Sequence, residues 1–80
     1  MNSPAVTLRP VIRATMRAAP KQPWTPESLL STLSGPYPTA TLADIKAALM
    51  WNHSKGFVDF THNAELEADA WKITPRGLKA

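Results

Sequence analysis

The chain of 80 residues contains no cysteine, which excludes disulfide bonds, cysteine zinc sites, iron–sulfur clusters and catalysis by a thiol. Long apolar runs are also missing. No stretch approaches the roughly 18 apolar residues that a transmembrane helix needs, and residues 1–24 lack the continuous apolar segment of a signal peptide. The sequence therefore predicts a cytoplasmic protein with no membrane partner.

Acidic residues are scarce: six accompany nine basic ones, and the net charge of +3 is unevenly distributed. Residues 1–26 contain four basic residues and no acid, residues 27–69 have a net charge of −4, and residues 70–80 have a net charge of +3. A weakly basic domain is compatible with nucleic-acid binding, although many small proteins without such a partner are equally basic. The total charge by itself does not decide the function.

Apolar residues with helical spacing predict three helices, at about residues 7–19, 26–34 and 41–55. In the first, Thr7 is a candidate N-cap, and the predicted core face contains Leu8, Val11, Ile12, Thr15 and Ala19. In the second, Thr25 has N-cap character and Pro26 suits the first helical position.

The third predicted helix has the clearest boundaries. Thr41 and Asp44 have the spacing of a capping box, with Asp in place of the usual Glu or Gln. Gly56 suits the left-handed position that follows a helix. Asn52 lies on the core side, where it is expected to form hydrogen bonds near the helix end rather than to contact bases.

Alternating apolar and polar residues after Gly56 predict a β-hairpin over about residues 57–74. Its connecting segment, residues 63–69, is polar and acidic. Trp24 is expected to form one or two residues of extended chain, and both Trp24 and Trp71 are expected to anchor the core or the hairpin.

Two groups of residues have the order and spacing of a known fold. Ile45, Leu49, Gly56, Phe57 and Val58 match the pattern I/V-x3-L-x6-G-L/F-V at the end of a third helix. The segment 71–77 looks like a closing strand with an aromatic residue followed by x-L/I-T-x-x-G.

Over about residues 8–78 the chain thus resembles the winged-helix family, a variant of helix-turn-helix proteins. The resemblance implies a small single α+β domain with three helices, a β-hairpin wing and a short first strand near Trp24. It also implies DNA binding, with the third helix in the major groove and the wing on the backbone or in the minor groove.

The candidate DNA-binding residues come from three segments. On the third helix, the candidates are Lys46, Met50, Ser54 and, at its end, Lys55. The first helix is expected to carry a stripe opposite its core face, formed by Arg9, Arg13 and Arg17, which is either a solvated surface or a contact for phosphates or an acidic partner. Arg76 adds a basic residue near the end of the hairpin.

Other residues favour a protein partner. Met50 and Trp51 are expected on the exposed side of the third helix, and Met and aromatic residues are enriched at interfaces. For Trp51, partial burial against residues 35–38 is the open alternative. Three acids in the wing, Glu65, Glu67 and Asp69, would repel phosphates and are candidates for contact with a basic protein.

These observations favour a small double-stranded-DNA-binding protein, a transcriptional regulator or accessory factor. The alternative is a non-catalytic protein–protein interaction module that uses the Met50/Trp51 face or the acidic wing. We expect no enzymatic activity, no catalytic residue and no cofactor. We also expect no metal, because the spacing of His53, Asp59 and His62 matches no metal-binding motif. The oligomeric state stays open.

Overall fold

Three helices precede a β-hairpin, and a short helix follows it, in the computed structural model, which describes residues 4–63 and 68–80. In chain order the elements are α1 (Pro4–Ala18), α2 (Pro26–Leu33), α3 (Leu42–Ser54), β1 (Val58–Asn63), β2 (Ala68–Ile73) and α4 (Pro75–Lys79). This order confirms the predicted α+β class and is compatible with a winged-helix-like layout. None of the described helices has the length and apolar character needed to cross a membrane.

Helix α1 begins at Pro4, so the prediction of Thr7 as its N-cap is wrong. Proline suits a helix start because its φ angle is already helical and its missing N–H needs no partner there. Pro10 lies inside α1 on an exposed position. It removes one backbone hydrogen bond without ending the helix, and α1 is held by its contact with α3.

The core face of α1 has a strict spacing of four residues. Leu8, Ile12 and Met16 are each at most 1% exposed, whereas Val11 and Ala19 are only partly buried. The sequence pattern identified Leu8 and Ile12 correctly and missed Met16. The buried face is therefore rotated toward α3, which changes what the flanking arginines contact.

Helices α2 and α3 both begin with a reciprocal capping box. The Thr25 hydroxyl accepts a hydrogen bond from the Ser28 backbone N–H at 3.0 Å, and the Ser28 hydroxyl oxygen accepts one from the Thr25 N–H at 2.9 Å. Thr41 and Asp44 form the same pair at 3.3 and 3.0 Å, as the sequence predicted. Each such cap stabilises a helix by about 1 kcal/mol.

The hairpin pairs β1 with β2 in antiparallel register, with Val58 opposite Ile73 and Phe60 opposite Trp71. Trp24 pairs with the other edge of β2 through two backbone hydrogen bonds with Trp71, of 2.9 and 2.7 Å. This pairing confirms the short extended segment predicted near Trp24. Gly56 has a φ of 77°, the left-handed conformation expected after α3.

Helix α4 is absent from the prediction, in which Pro75, Arg76 and Gly77 only end the last strand. Thr74 caps the helix by accepting a hydrogen bond from the Gly77 N–H, and Pro75 occupies its first turn. Arg17 donates to the carbonyl oxygens of Gly77 and Ala80 at 3.4 and 2.6 Å. These bonds attach α4 to α1.

Candidate nucleic-acid interface

The arginines of α1 do not form the outer stripe that the sequence predicted. Arg9 and Arg13 are partly buried along the contact between α1 and α3. Arg17 instead faces α4, where the two carbonyl oxygens named above accept its hydrogen bonds. The three residues therefore separate into a pair beside α3 and one residue that binds the last helix.

Asn52 links the arginine pair to α3. Its side chain is fully buried and donates to the carbonyl oxygens of Arg9 at 3.1 Å and Ala48 at 2.8 Å. Its Oδ1 atom accepts a hydrogen bond of 3.0 Å from Nη1 of Arg13. The prediction of a core-side hydrogen-bonding role for Asn52 is confirmed, and the residue fixes the position of α1 on α3.

Two aromatic rings lie under the guanidinium groups. The Cζ atom of Arg9 is 4.7 Å from the centre of the Trp51 ring, and that of Arg13 is 5.0 Å from the centre of the Phe57 ring. The rings of Trp51 and Phe57 are neighbours, with centres 6.2 Å apart. Trp51 is thus half-buried beneath the arginines of α1, and its burial against residues 35–38 stays a prediction.

Two further cations complete this arrangement. The Nζ atom of Lys55 lies 5.6 Å from the centre of the Trp51 ring, and the Cζ atom of Arg76 lies 5.8 Å from that of Phe57. A cation over an aromatic ring is attracted by its negative face. We refer to these six residues as the cation–aromatic cluster: Arg9, Arg13, Lys55 and Arg76 with Trp51 and Phe57.

The positive charge of the cluster is not balanced by acids in the described part of the chain. None of its four cations forms an ion pair with a described carboxylate. Burial, and secondarily the charge of Arg17, lower the pKa of the Arg13 guanidinium. Within the described residues, the cluster is thus a surface with four cations and no carboxylate paired to them.

The exposed face of α3 borders the cluster. Its exposed residues are Ala43, Lys46, Ala47, Met50, His53 and Ser54. Lys46 is its one cation, Met50 is 57% exposed, and the Ser54 hydroxyl donates to the carbonyl oxygen of Trp51 at 2.6 Å. Apart from Lys46, this face offers a base pair mainly small and apolar groups.

A groove of about 410 Å³ lies on the other side of this face. Trp71 and Leu49 contribute to its lining, and the half-exposed side chains of Met50 and Phe60 border it. The remaining lining residues are Thr25, Pro26, Glu27 and Lys46. Met50 and Trp51, which the sequence grouped as one interface, therefore belong to different surfaces.

The other predicted candidates are distributed as follows. The side chains of the acidic wing, Glu65, Glu67 and Asp69, lie outside the described part of the structure. In residues 4–63 and 68–80, no group of three or more His, Asp or Glu side chains is arranged to hold a metal ion. His53 instead packs edge-on against Trp71, with ring centres 5.6 Å apart.

Sequence reasoning missed the part played by Phe57 in the cluster and by Phe60 in the groove. The prediction places both residues in a strand, where aromatic residues are common and need no functional explanation. The spacing of the arginines was the signal in the sequence that could have identified the cluster. Only the rotation of α1 shows that Arg9 and Arg13 face the rings of Trp51 and Phe57.

Comparison of the chain with models of protein families, with curated proteins and with solved structures finds no match. The winged-helix resemblance therefore stays a prediction from the residues and from the layout of the elements.

Proposed function

We propose that this domain binds double-stranded DNA, with the cation–aromatic cluster on the phosphate backbone and the exposed face of α3 toward the bases. The cluster is the observation that carries the proposal. Affinity for duplex DNA comes largely from cations that replace the counterions of phosphates. Arg9, Arg13, Lys55 and Arg76 supply four such cations beside the helix that a winged-helix layout offers to the major groove.

The exposed face of α3 implies a limited capacity to read sequence. Lys46 can donate to guanine acceptors, and Ala47 and Met50 can contact thymine methyl groups. Phosphate contacts position a protein without specifying a sequence. We therefore propose a regulator or accessory factor with modest sequence preference, which acts in the cytoplasm without catalysis or a cofactor.

The test is a titration of fluorescent duplexes across a salt series of about 50–200 mM, over which phosphate-dominated binding weakens steeply. Arg9→Met should reduce the salt slope by about one for every duplex, because one phosphate contact is lost. Lys72→Met is the matched control, since Lys72 is an exposed cation of the hairpin outside the cluster. Lys46→Ala should weaken one preferred sequence more than others.

Absence of binding at about 50 mM salt would contradict the proposal, since electrostatic binding is strongest there. Equal changes of slope in the Arg9 and Lys72 variants would show that binding follows net charge and does not use the cluster. Arg13→Ala is a poorer test, because Arg13 also holds Asn52 in place.

One observation favours a second candidate, a protein–protein interaction through the groove. Met50 and Phe60 are 57% and 46% exposed beside it, and Glu27 and Lys46 both line it. In a two-fold symmetric contact, if one residue of the first copy meets a second residue of the other copy, the same pair also meets with the copies exchanged. Glu27 of one copy would then meet Lys46 of the second, so the occupant we propose is a second copy of this chain.

The two functions compete for Lys46 and Met50, which makes them distinguishable. Sedimentation over a concentration series, with Met50→Ser as the variant, measures self-association. A dimer that dissociates on this change and excludes DNA would replace the first proposal. A wild-type protein that stays monomeric at all concentrations would eliminate the second candidate.

A further inference from the structure

Hydrogen-bond donors of the cluster are left free on its outer side. Arg13 uses Nη1 for Asn52, with a longer contact of 3.5 Å to the Arg9 carbonyl oxygen, and its Nη2 has no acceptor among the described residues. In the described part of the chain, the side-chain nitrogens of Arg9, Lys55 and Arg76 donate to no protein acceptor. Four groups thus have unused N–H donors within one patch.

The aromatic rings hold these groups in place. A guanidinium group stacked on a ring keeps the N–H donors in its plane available for a bidentate acceptor. The Nε atoms of Arg9 and Arg13 are buried without a hydrogen-bond partner, so the stems of both residues are enclosed by protein. The terminal nitrogens are therefore the part of each group that an external ligand can reach.

The gathering of cations around one aromatic ring favours an anionic ligand. Arg9 and Lys55 both lie within 5.6 Å of the centre of one ring, that of Trp51. Like charges brought together in this way repel one another, and no described carboxylate offsets them. An oxyanion with several acceptor oxygens would pair with the free donors and remove the repulsion, since charge-assisted hydrogen bonds are the strong ones.

We propose that the cation–aromatic cluster is a discrete binding site for a single phosphate group. Arg9 and Lys55 are its main ligands, the free Nη2 of Arg13 adds to them, and occupation of the site stabilises the folded domain. The inference rests on the proposed function only for the source of the phosphate, which is the DNA backbone. Free phosphate and a phosphodiester share the same chemistry and bind the same donors.

Thermal unfolding in phosphate and in chloride at equal ionic strength tests the proposal. Phosphate stabilises most proteins by exclusion from their surface, so the comparison must be between variants. The test variant is Arg9→Met with Lys55→Met. The matched control is Lys21→Met with Lys72→Met, which removes two exposed cations outside the cluster.

The wild type and the control should show the same extra stabilisation by phosphate, with the same half-saturating concentration. In the test variant this concentration should rise at least about tenfold, because the charge-assisted bonds are lost. If the double variant does not fold in chloride, Lys55→Met alone replaces it, since the Lys55 side chain is exposed and lies over the Trp51 ring. Equal stabilisation of all variants would overturn the proposal.

A second arm separates this inference from DNA binding. A thymidine dinucleotide with one phosphodiester and a duplex are each titrated against the phosphate-loaded wild type, with Trp51→Phe identifying the fluorescence change at the cluster. Displacement by both ligands supports the inference and the proposed function. Phosphate binding without duplex binding supports the site and contradicts the function. Duplex binding with no effect of phosphate or dinucleotide overturns the site alone.

Discussion

Ile12 is fully buried at the centre of the face that α1 turns to the core. Replacement by alanine removes methylene groups and leaves a cavity, so Ile12→Ala should reduce the free energy of unfolding by about 2–4 kcal/mol. Val6 on the same helix is 41% exposed, and Val6→Ala should change the free energy of unfolding by less than about 0.5 kcal/mol. Chemical denaturation measures both, and a loss below about 1 kcal/mol at Ile12 would contradict its burial.

Asn52 is the residue whose polar atoms have most partners in the core. Asn52→Leu keeps the size of the side chain but removes the acceptor of Arg13 and the donor to the Arg9 carbonyl oxygen. We expect a loss of about 1–3 kcal/mol, because buried polar partners are left unpaired. A double-mutant cycle with Arg13→Met should give a coupling of about 0.5–3 kcal/mol; additive effects would show that the two side chains act independently.

At the scale of elements, helix α4 depends on close contact with the chain before β1. An added Cβ at Gly77 would collide with the Phe57 carbonyl oxygen and lie 2.7 Å from Cγ1 of Ile73. Gly77→Ala should therefore destabilise the protein by about 1–3 kcal/mol, the usual effect of overfilling a tight site.

Gly35→Ala is the matched control for this change. A Cβ at Gly35 has no atom within 4 Å, and its φ is not in the left-handed region. The substitution should be neutral or stabilise by up to about 1 kcal/mol, since it reduces the freedom of the unfolded chain. Similar effects of the two changes in thermal unfolding would show that α4 does not pack closely on Phe57.

Helix α1 shows how one element determines the site. Its arginines at i, i+4 and i+8 were expected opposite the core because Val11 and Thr15 were assigned to the buried face. The burial of Met16 in place of these residues rotates the helix, and this rotation brings Arg9 and Arg13 to the border with α3. A small change in the buried face thus places two of the four cations of the cluster on aromatic rings instead of in solvent.

At the scale of the whole molecule, the net charge of +3 and the crowded cations of the cluster predict that salt stabilises the protein. Raising NaCl from about 0.01 to 0.15 M shortens the screening length from about 30 to 8 Å and weakens this repulsion. The melting temperature should rise by roughly 2–4 °C, the shift that about 0.5 kcal/mol produces in a domain of this size.

The test variant Arg9→Met with Lys55→Met should show a smaller rise, whereas Lys21→Met with Lys72→Met should retain more of it. A melting temperature that falls with salt would mean that attractive charge pairs dominate.

A change of pH cannot replace the change of salt concentration in this test. Burial lowers the pKa of Arg13, which means that folding disfavours its charged form, so this cost is present below the folded-state pKa and is lost as the pH rises through it.

The sequence by itself determined most of the elements and the ends that carry a local signal. Local signals act between neighbouring residues, so Thr25, Thr41 with Asp44, and Gly56 identified the start of α2, the start of α3 and the turn after it. The order of helices and hairpin followed from spacing alone. Helix α4 has the same Thr–Pro signal as α2, and its absence from the prediction was an error of interpretation rather than a missing signal.

Only the tertiary structure decided which residues form the candidate site. The arginines of α1 are far from Trp51 and Phe57 in the chain, and their contact with these rings depends on the rotation of α1 and on its attachment to Asn52. Hydrophobic periodicity predicts a buried face from the spacing of apolar residues within one helix. It did not decide between a face with Met16 and a face with Val11 and Thr15, because that choice depends on how α1 packs against α3.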